Sequence, residues 1–167
     1  MEFLPIRSLI TNVLLVPVGN WLSVNGEAIY STRPWTVCQS ETISSVFYTT
    51  KHVQNEGTNE KLLYAIFIKW PTNNMLQLRC VAATSATKIY FLGLHYNDNS
   101  ADTSLLYHSI TGNNAMDHDD VESNAARMKQ RRDERDIGIE VVLPALTPDI
   151  IPCQHAWVIV LTHIANL

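Results

Sequence analysis

Lys61-Leu62-Leu63-Tyr64-Ala65-Ile66-Phe67-Ile68-Lys69-Trp70 is rich in aliphatic and aromatic residues, and Pro71-Thr72-Asn73-Asn74 closes it. Proline cannot donate to a β-ladder and asparagine tolerates turn geometry, so the stretch reads as a strand ending in a turn. Immediately beyond, Leu76, Leu78 and Cys80 alternate with Gln77 and Arg79, the period-two pattern of a half-buried strand. Lys88-Ile89-Tyr90-Phe91-Leu92 follows and stops at Gly93. Ile139-Glu140-Val141-Val142-Leu143 ends at Pro144, and Ala156-Trp157-Val158-Ile159-Val160-Leu161 gives a strong last strand. Pro144, Pro148 and Pro152 make the link between these two an extended or edge segment, since a central strand does not tolerate them. Short strands joined by short loops predict an all-β domain, an antiparallel β-sandwich of Greek-key type.

Two stretches differ in texture. Residues 1–18 are apolar and irregular: Leu9-Ile10 and Val13-Leu14-Leu15-Val16 follow Arg7 in the manner of a signal peptide, but Asn12 interrupts the run and Pro5 and Pro17 bracket it. This segment is read as separate, with the sandwich spanning 19–167. From about 97 to 136 Asn, Asp and Ser first dominate, and the part from Asp119 to Arg132 then has acids at its start and bases at its end. That order suits a helix dipole, so the sandwich is expected to carry a polar, flexible or part-helical insertion there. Asn25-Gly26 reads as a tight-turn dipeptide, because both residues accept positive φ.

Composition narrows the function classes. The 167 residues are 46% hydrophobic and 17% charged, an ordinary globular balance with room for one core. A net charge of −4 lacks the basic excess of a nucleic-acid binder. No apolar stretch has the length of a membrane span. Cys38, Cys80 and Cys153 are far apart with no CxxC, and they read as buried free thiols in preference to a bridge, which would leave one of the three unpaired. Asp117-His118-Asp119-Asp120 has a metal-like composition, but four adjacent residues do not converge on one ion and no turn glycine interleaves them. It reads as a solvated acidic patch. Cys153 and His155 are two apart, yet nothing suggests a third group to orient them as nucleophile and base. Walker, dinucleotide and nucleophile-elbow motifs are missing. No catalytic, cofactor-binding or metal-binding residue is therefore assigned.

The run from Gly19 to Tyr30, Gly-Asn-Trp-Leu-Ser-Val-Asn-Gly-Glu-Ala-Ile-Tyr, followed by Pro34-Trp35, resembles a segment of the α-L-fucosidases, a family of retaining glycoside hydrolases. In that family the segment joins the last helix of the catalytic barrel to a C-terminal β-sandwich. Phe47-Tyr48-Thr49, Leu63-Tyr64-Ala65-Ile66-Phe67 with Lys69-Trp70-Pro71, Leu92-Gly93, Gly138-Ile139 with Val142-Leu143-Pro144, and Pro152-Cys153 with Trp157 and Leu161-Thr162 continue the resemblance in order. The last of these looks most like the plasma, secreted animal type. Residues 1–18 do not resemble the barrel helix expected before Gly19, and the 97–136 stretch is longer than the family's loop.

The resemblance implies hydrolysis of α-L-fucosides by two carboxyl groups about 5–5.5 Å apart, both carried by a barrel of at least about 200 residues. Such a barrel lies outside these 167 residues, so this stretch is read as the accessory sandwich, not catalytic by itself. Family members are lysosomal or secreted; no convincing export signal is read here. Two roles follow. In the first, the domain docks on a fucosidase barrel and exposes an apolar patch where that partner would sit; Trp21, Glu27, Tyr30 and Trp35 are the candidates for barrel or sugar contact. In the second, it is a carbohydrate-binding module for fucosylated glycans, whose aromatic face would be drawn from Tyr30, Trp35, Tyr48 and Tyr64.

Overall fold

The computed structural model describes residues 6–55, 58–94, 104–110, 138–145 and 153–167. A helix, α1 (Ile6–Asn25), leads through a 3-10 turn (Gly26–Ala28) into nine strands: β1 (Arg33–Pro34), β2 (Ser40–Glu41), β3 (Val46–Asn55), β4 (Thr58–Phe67), β5 (Met75–Leu78), β6 (Lys88–Phe91), β7 (Tyr107–Ser109), β8 (Ile139–Val142) and β9 (Trp157–Thr162). Every pairing among them is antiparallel. The larger sheet runs β1-β3-β4-β9-β6, with β2 also on β3; the smaller runs β5-β8-β7. The expected all-β, sandwich-like architecture is present. Among the described residues no helix is long and apolar enough to cross a membrane.

The core lies between the sheets. Leu63, Ala65 and Phe67 of β4 and Ile159 and Leu161 of β9 meet Leu76, Leu78, Ile139 and Val141 from the smaller sheet. A second cluster covers the opposite, outer face of the large sheet: Tyr64, Ile66, Val158 and Val160 are buried with Ala28, and Trp21 and Leu62 pack against them. Strands covered on both faces carry near-continuous apolar runs, which is why β4 and β9 show no alternation. Strands β5 and β8, covered on one face, do alternate.

Three expectations change. Helix α1 runs through the boundary placed between residues 18 and 19, so Gly19 to Asn25 belong to its last turns rather than to the sandwich. Ile6, Ile10, Thr11, Val13, Val16, Val18 and Val24 are β-branched and Pro17 sits inside it, all unfavourable to helix. The helix is fastened near its end: the Trp21 indole N–H donates to the Ala156 carbonyl at 2.9 Å. Asn25 has φ −110° and ends the helix instead of forming a hairpin turn. A Cβ at Gly26 would stand 2.6 Å from the Tyr30 ring, so a larger residue there would push that exposed ring aside.

The second change concerns the 97–136 stretch, which contains strand β7. Leu105 N–H donates to the Ile89 carbonyl at 2.7 Å and Val142 N–H to the Leu106 carbonyl at 2.9 Å, so residues 104–110 tie β6 of the large sheet to β8 of the small one. The helix expected within 119–132 and the acidic run 117–120 lie outside the described residues.

The third change is a disulfide. Cys38 and Cys80 are bridged, with Cα atoms 6.2 Å apart, and Cys153 is free. Sequence distance hid the pair because Glu41 brings the two segments together. Its buried carboxylate accepts the Tyr48 hydroxyl at 2.6 Å and the backbone N–H groups of Arg79 and Cys80 at 3.1 and 3.0 Å. Replacing both bridged cysteines by serine is expected to lower the unfolding free energy by about 2–4 kcal/mol, measured by urea denaturation of the oxidised and variant chains; equal midpoints would contradict the bridge.

Candidate functional site

The outer face of the large sheet is only partly covered. The helix and 3-10 turn lie over Tyr64, Val158 and Val160, and the Thr49 hydroxyl donates to the Ala28 carbonyl at 2.7 Å to hold the turn down. Beside the helix, Pro17, Val18, Trp21, Ile66 and the Gln154–Ala156 segment line an apolar groove of about 280 Å³. Its surroundings are apolar too. Leu15, Val16 and Val18 of α1 are more than half exposed. Phe47 pairs directly with Ile66 in the β3–β4 register and is 48% exposed, and Ile68, two residues beyond Ile66, is exposed as well. Exposed apolar groups scattered singly are ordinary, but grouped around a groove they mark an interaction surface.

Of the residues singled out from the sequence, Trp21, Glu27 and Tyr30 come to this outer side. Trp21 is half-buried and anchors the helix. Glu27 is exposed and accepts the hydroxyl of the buried Tyr64 at 2.7 Å. Tyr30 is exposed. Trp35 does not join them: it is buried in the inter-sheet core, with its ring edge-on to Tyr48 at a centroid distance of 5.3 Å. The sugar-facing set of Tyr30, Trp35, Tyr48 and Tyr64 is thus not assembled. Trp35 and Tyr48 point into the core, and Tyr64 points the other way beneath the helix. Strand alternation separates them. Phe47, Ile68 and the groove residues Pro17 and Val18 were not singled out; Phe47 was readable as the apolar residue between two core positions, Val46 and Tyr48.

The carboxylates of Glu41 and Glu140 are engaged by the fold. Both Glu41 oxygens accept hydrogen bonds, and Glu140 accepts from Gln77 at 3.3 Å. Cys38, Glu41 and Cys80 converge, but a disulfide and a fully engaged carboxylate offer nothing to a metal. Cys153 and His155 lie in the loop before β9, not on a strand. The Cys153 thiol donates to the Ala156 carbonyl at 3.1 Å and accepts from the Asn25 amide at 3.3 Å. Burial pushes this thiol up, against a smaller lowering by Asn25. It is a protonated, structural group that fastens the loop to the helix end.

Burial, then the hydrogen bond and charge of a glutamate, holds the Tyr48 and Tyr64 phenols far above the usual tyrosine value of 10.0. Folding favours their protonated forms, so the stability they contribute is complete below pH about 10 and declines as pH rises above it. In an alkaline titration followed by phenolate absorbance, these two of the six tyrosines are expected to ionise only with unfolding; full ionisation of the folded chain would contradict this. Tyr48→Phe is expected to cost about 1.5–3 kcal/mol, the range for a bond to a buried charge. Tyr64→Phe should cost less, about 1 kcal/mol or below, because Glu27 is free to return to water; chemical denaturation compares the two.

The family described as the alpha-L-fucosidase C-terminal domain matches residues 39–116. Tissue alpha-L-fucosidase from Mus musculus is 32% identical over 150 residues, 90% of this chain and 25% of that relative. The Homo sapiens tissue enzyme is 33% identical over 150 residues, 90% of this chain and 24% of its own length. Plasma alpha-L-fucosidase from Homo sapiens is 34% identical over 149 residues, 88% of this chain and 24% of its own. These identities do not separate the tissue type from the plasma type. The chain thus spans about a quarter of the length of the curated relatives it matches. Among solved structures, an alpha-fucosidase from Thermotoga maritima aligns over 87% of this chain and 25% of its own at 14% identity, with a TM-score of 0.41, too weak a likeness to bear on the site.

Proposed function

This chain carries the C-terminal domain of an alpha-L-fucosidase, and from that premise we propose that it serves as a non-catalytic docking module for a catalytic barrel that hydrolyses α-L-fucosides. The observation that carries this reading is the apolar groove beside α1 with its exposed rim of Val18, Phe47 and Ile68. A rim of this kind is costly to leave in water and gains roughly 25 cal/mol per Å² when covered. The helix supports the reading as well, since it borders the groove and its last turns, from Gly19 to Asn25, begin the segment by which the resemblance connects sandwich to barrel. Trp21 and Tyr30 are then placed at the junction, with Glu27 holding the helix–strand corner through Tyr64. The Cys38–Cys80 disulfide suits an oxidising compartment, in keeping with a lysosomal or secreted enzyme.

Two measurements test the proposal. The purified chain is expected to hydrolyse an aryl α-L-fucoside no faster than the buffer blank; turnover by the chain alone would overturn the non-catalytic reading. Mixed with an alpha-L-fucosidase catalytic domain, it is expected to bind, and Val18→Asp or Phe47→Asp should weaken that binding at least about tenfold, the scale of 1.4 kcal/mol. Undiminished binding by both variants, with unchanged thermal unfolding, would place the interface elsewhere.

A further inference from the structure

A second concavity shares no residue with the apolar groove. It is about 360 Å³ in volume and lies between the segment after β2, the loop joining β4 to β5, and β5 itself, with Ser44, Lys69, Trp70, Pro71, Asn73 and Gln77 on its walls. Trp70 is half-buried and rigidly seated. Its indole N–H donates to Asn74 Oδ1 at 2.7 Å, and behind it stand Trp157, Phe67 and Phe91 with centroids 5.2, 5.7 and 6.1 Å away. The wall is therefore an aromatic surface already ordered before any ligand arrives, so binding would cost little side-chain entropy.

The rim is polar and partly pre-set. Asn73 Oδ1 accepts the Met75 N–H at 3.1 Å, which fixes the amide and leaves its NH₂ to donate outward. Gln77 is held between Arg79 and Glu140 at 3.3 Å each. Lys69 contributes an ammonium group and Ser44 a hydroxyl. An apolar wall faced by convergent amide, hydroxyl and ammonium groups matches a ring with one C–H face and several hydroxyls, and the volume falls in the range of small-molecule sites. A bare anion would need the cation but would gain nothing from the indole.

We propose that this cleft binds a pyranose ring of a glycan, with the C–H face of the sugar toward Trp70 and Pro71 and its hydroxyls toward Asn73, Lys69 and Ser44. Sugar recognition is thereby assigned to Trp70, an aromatic that the fold leaves half-open, and not to Trp35, Tyr48 and Tyr64, which it buries. The inference does not rest on the docking reading, because it uses different residues and the isolated chain.

The test is a ¹H–¹⁵N NMR titration of the full chain with methyl α-L-fucopyranoside, methyl β-D-galactopyranoside and, as the anion control, sodium sulfate. The expected result is a saturable shift of the Trp70 indole and Asn73 amide signals with at least one pyranoside, with Kd on the order of 1–10 mM. Lys69→Ala and Asn73→Ala should each raise that Kd about fivefold with unchanged thermal unfolding. Lys69 is exposed, so its variant keeps the test open if Asn73→Ala perturbs the loop. No shift with either sugar up to about 50 mM, shifts that Lys69→Ala leaves unweakened, or shifts with sulfate alone would overturn the proposal.

Discussion

The fold depends on one constraint: the central strands β4 and β9 carry apolar side chains on both faces and must be covered twice. The small sheet covers the inner row of Leu63, Ala65 and Phe67. The outer row of Tyr64, Ile66, Val158 and Val160 needs the helix. Tyr64 then sets the details, because its hydroxyl has to find an acceptor and Glu27 supplies one at the 3-10 turn. Helix, turn and sheet are locked at the corner from which the exposed groove opens.

The opposite end of the core is organised by Glu41. A buried carboxylate is tolerated only when hydrogen bonds replace its lost hydration, and here three donors do so. Two of these are backbone groups at the end of β5, which bind the small sheet to the large one independently of side-chain packing. The disulfide repeats the same join in covalent form. The carboxylate is thereby committed to architecture.

Much of this was legible in the sequence, and the failures have physical causes. The strands over 61–70, 88–92, 139–143 and 156–161 were readable because apolar runs bounded by Pro, Gly and Asn have few other solutions. Helix α1 was not, since β-branched residues and Pro17 argue against a helix locally and only the uncovered face of β4, a tertiary fact, calls for one. Strand β7 hid within polar sequence because two of its three residues are exposed and its hold on the fold is through backbone hydrogen bonds. The Cys38–Cys80 pair was invisible for a related reason: what joins them is a glutamate bonding to N–H groups, which no spacing rule reports. Of the candidate residues, Trp21, Glu27 and Tyr30 lie on the outer side of the large sheet. Trp35 was lost to the core because a tryptophan's sequence context does not say which face of a sheet it will occupy.

The central claim is that the outer face beside α1 is an interface awaiting a catalytic domain. Hydrogen–deuterium exchange of this chain, alone and joined to an alpha-L-fucosidase catalytic domain, tests it most directly. The account predicts that new protection concentrates in the C-terminal half of α1, around Phe47 in β3 and in the 153–156 loop. Protection confined to the small sheet β5-β8-β7, with α1 exchanging as in the isolated chain, would contradict it.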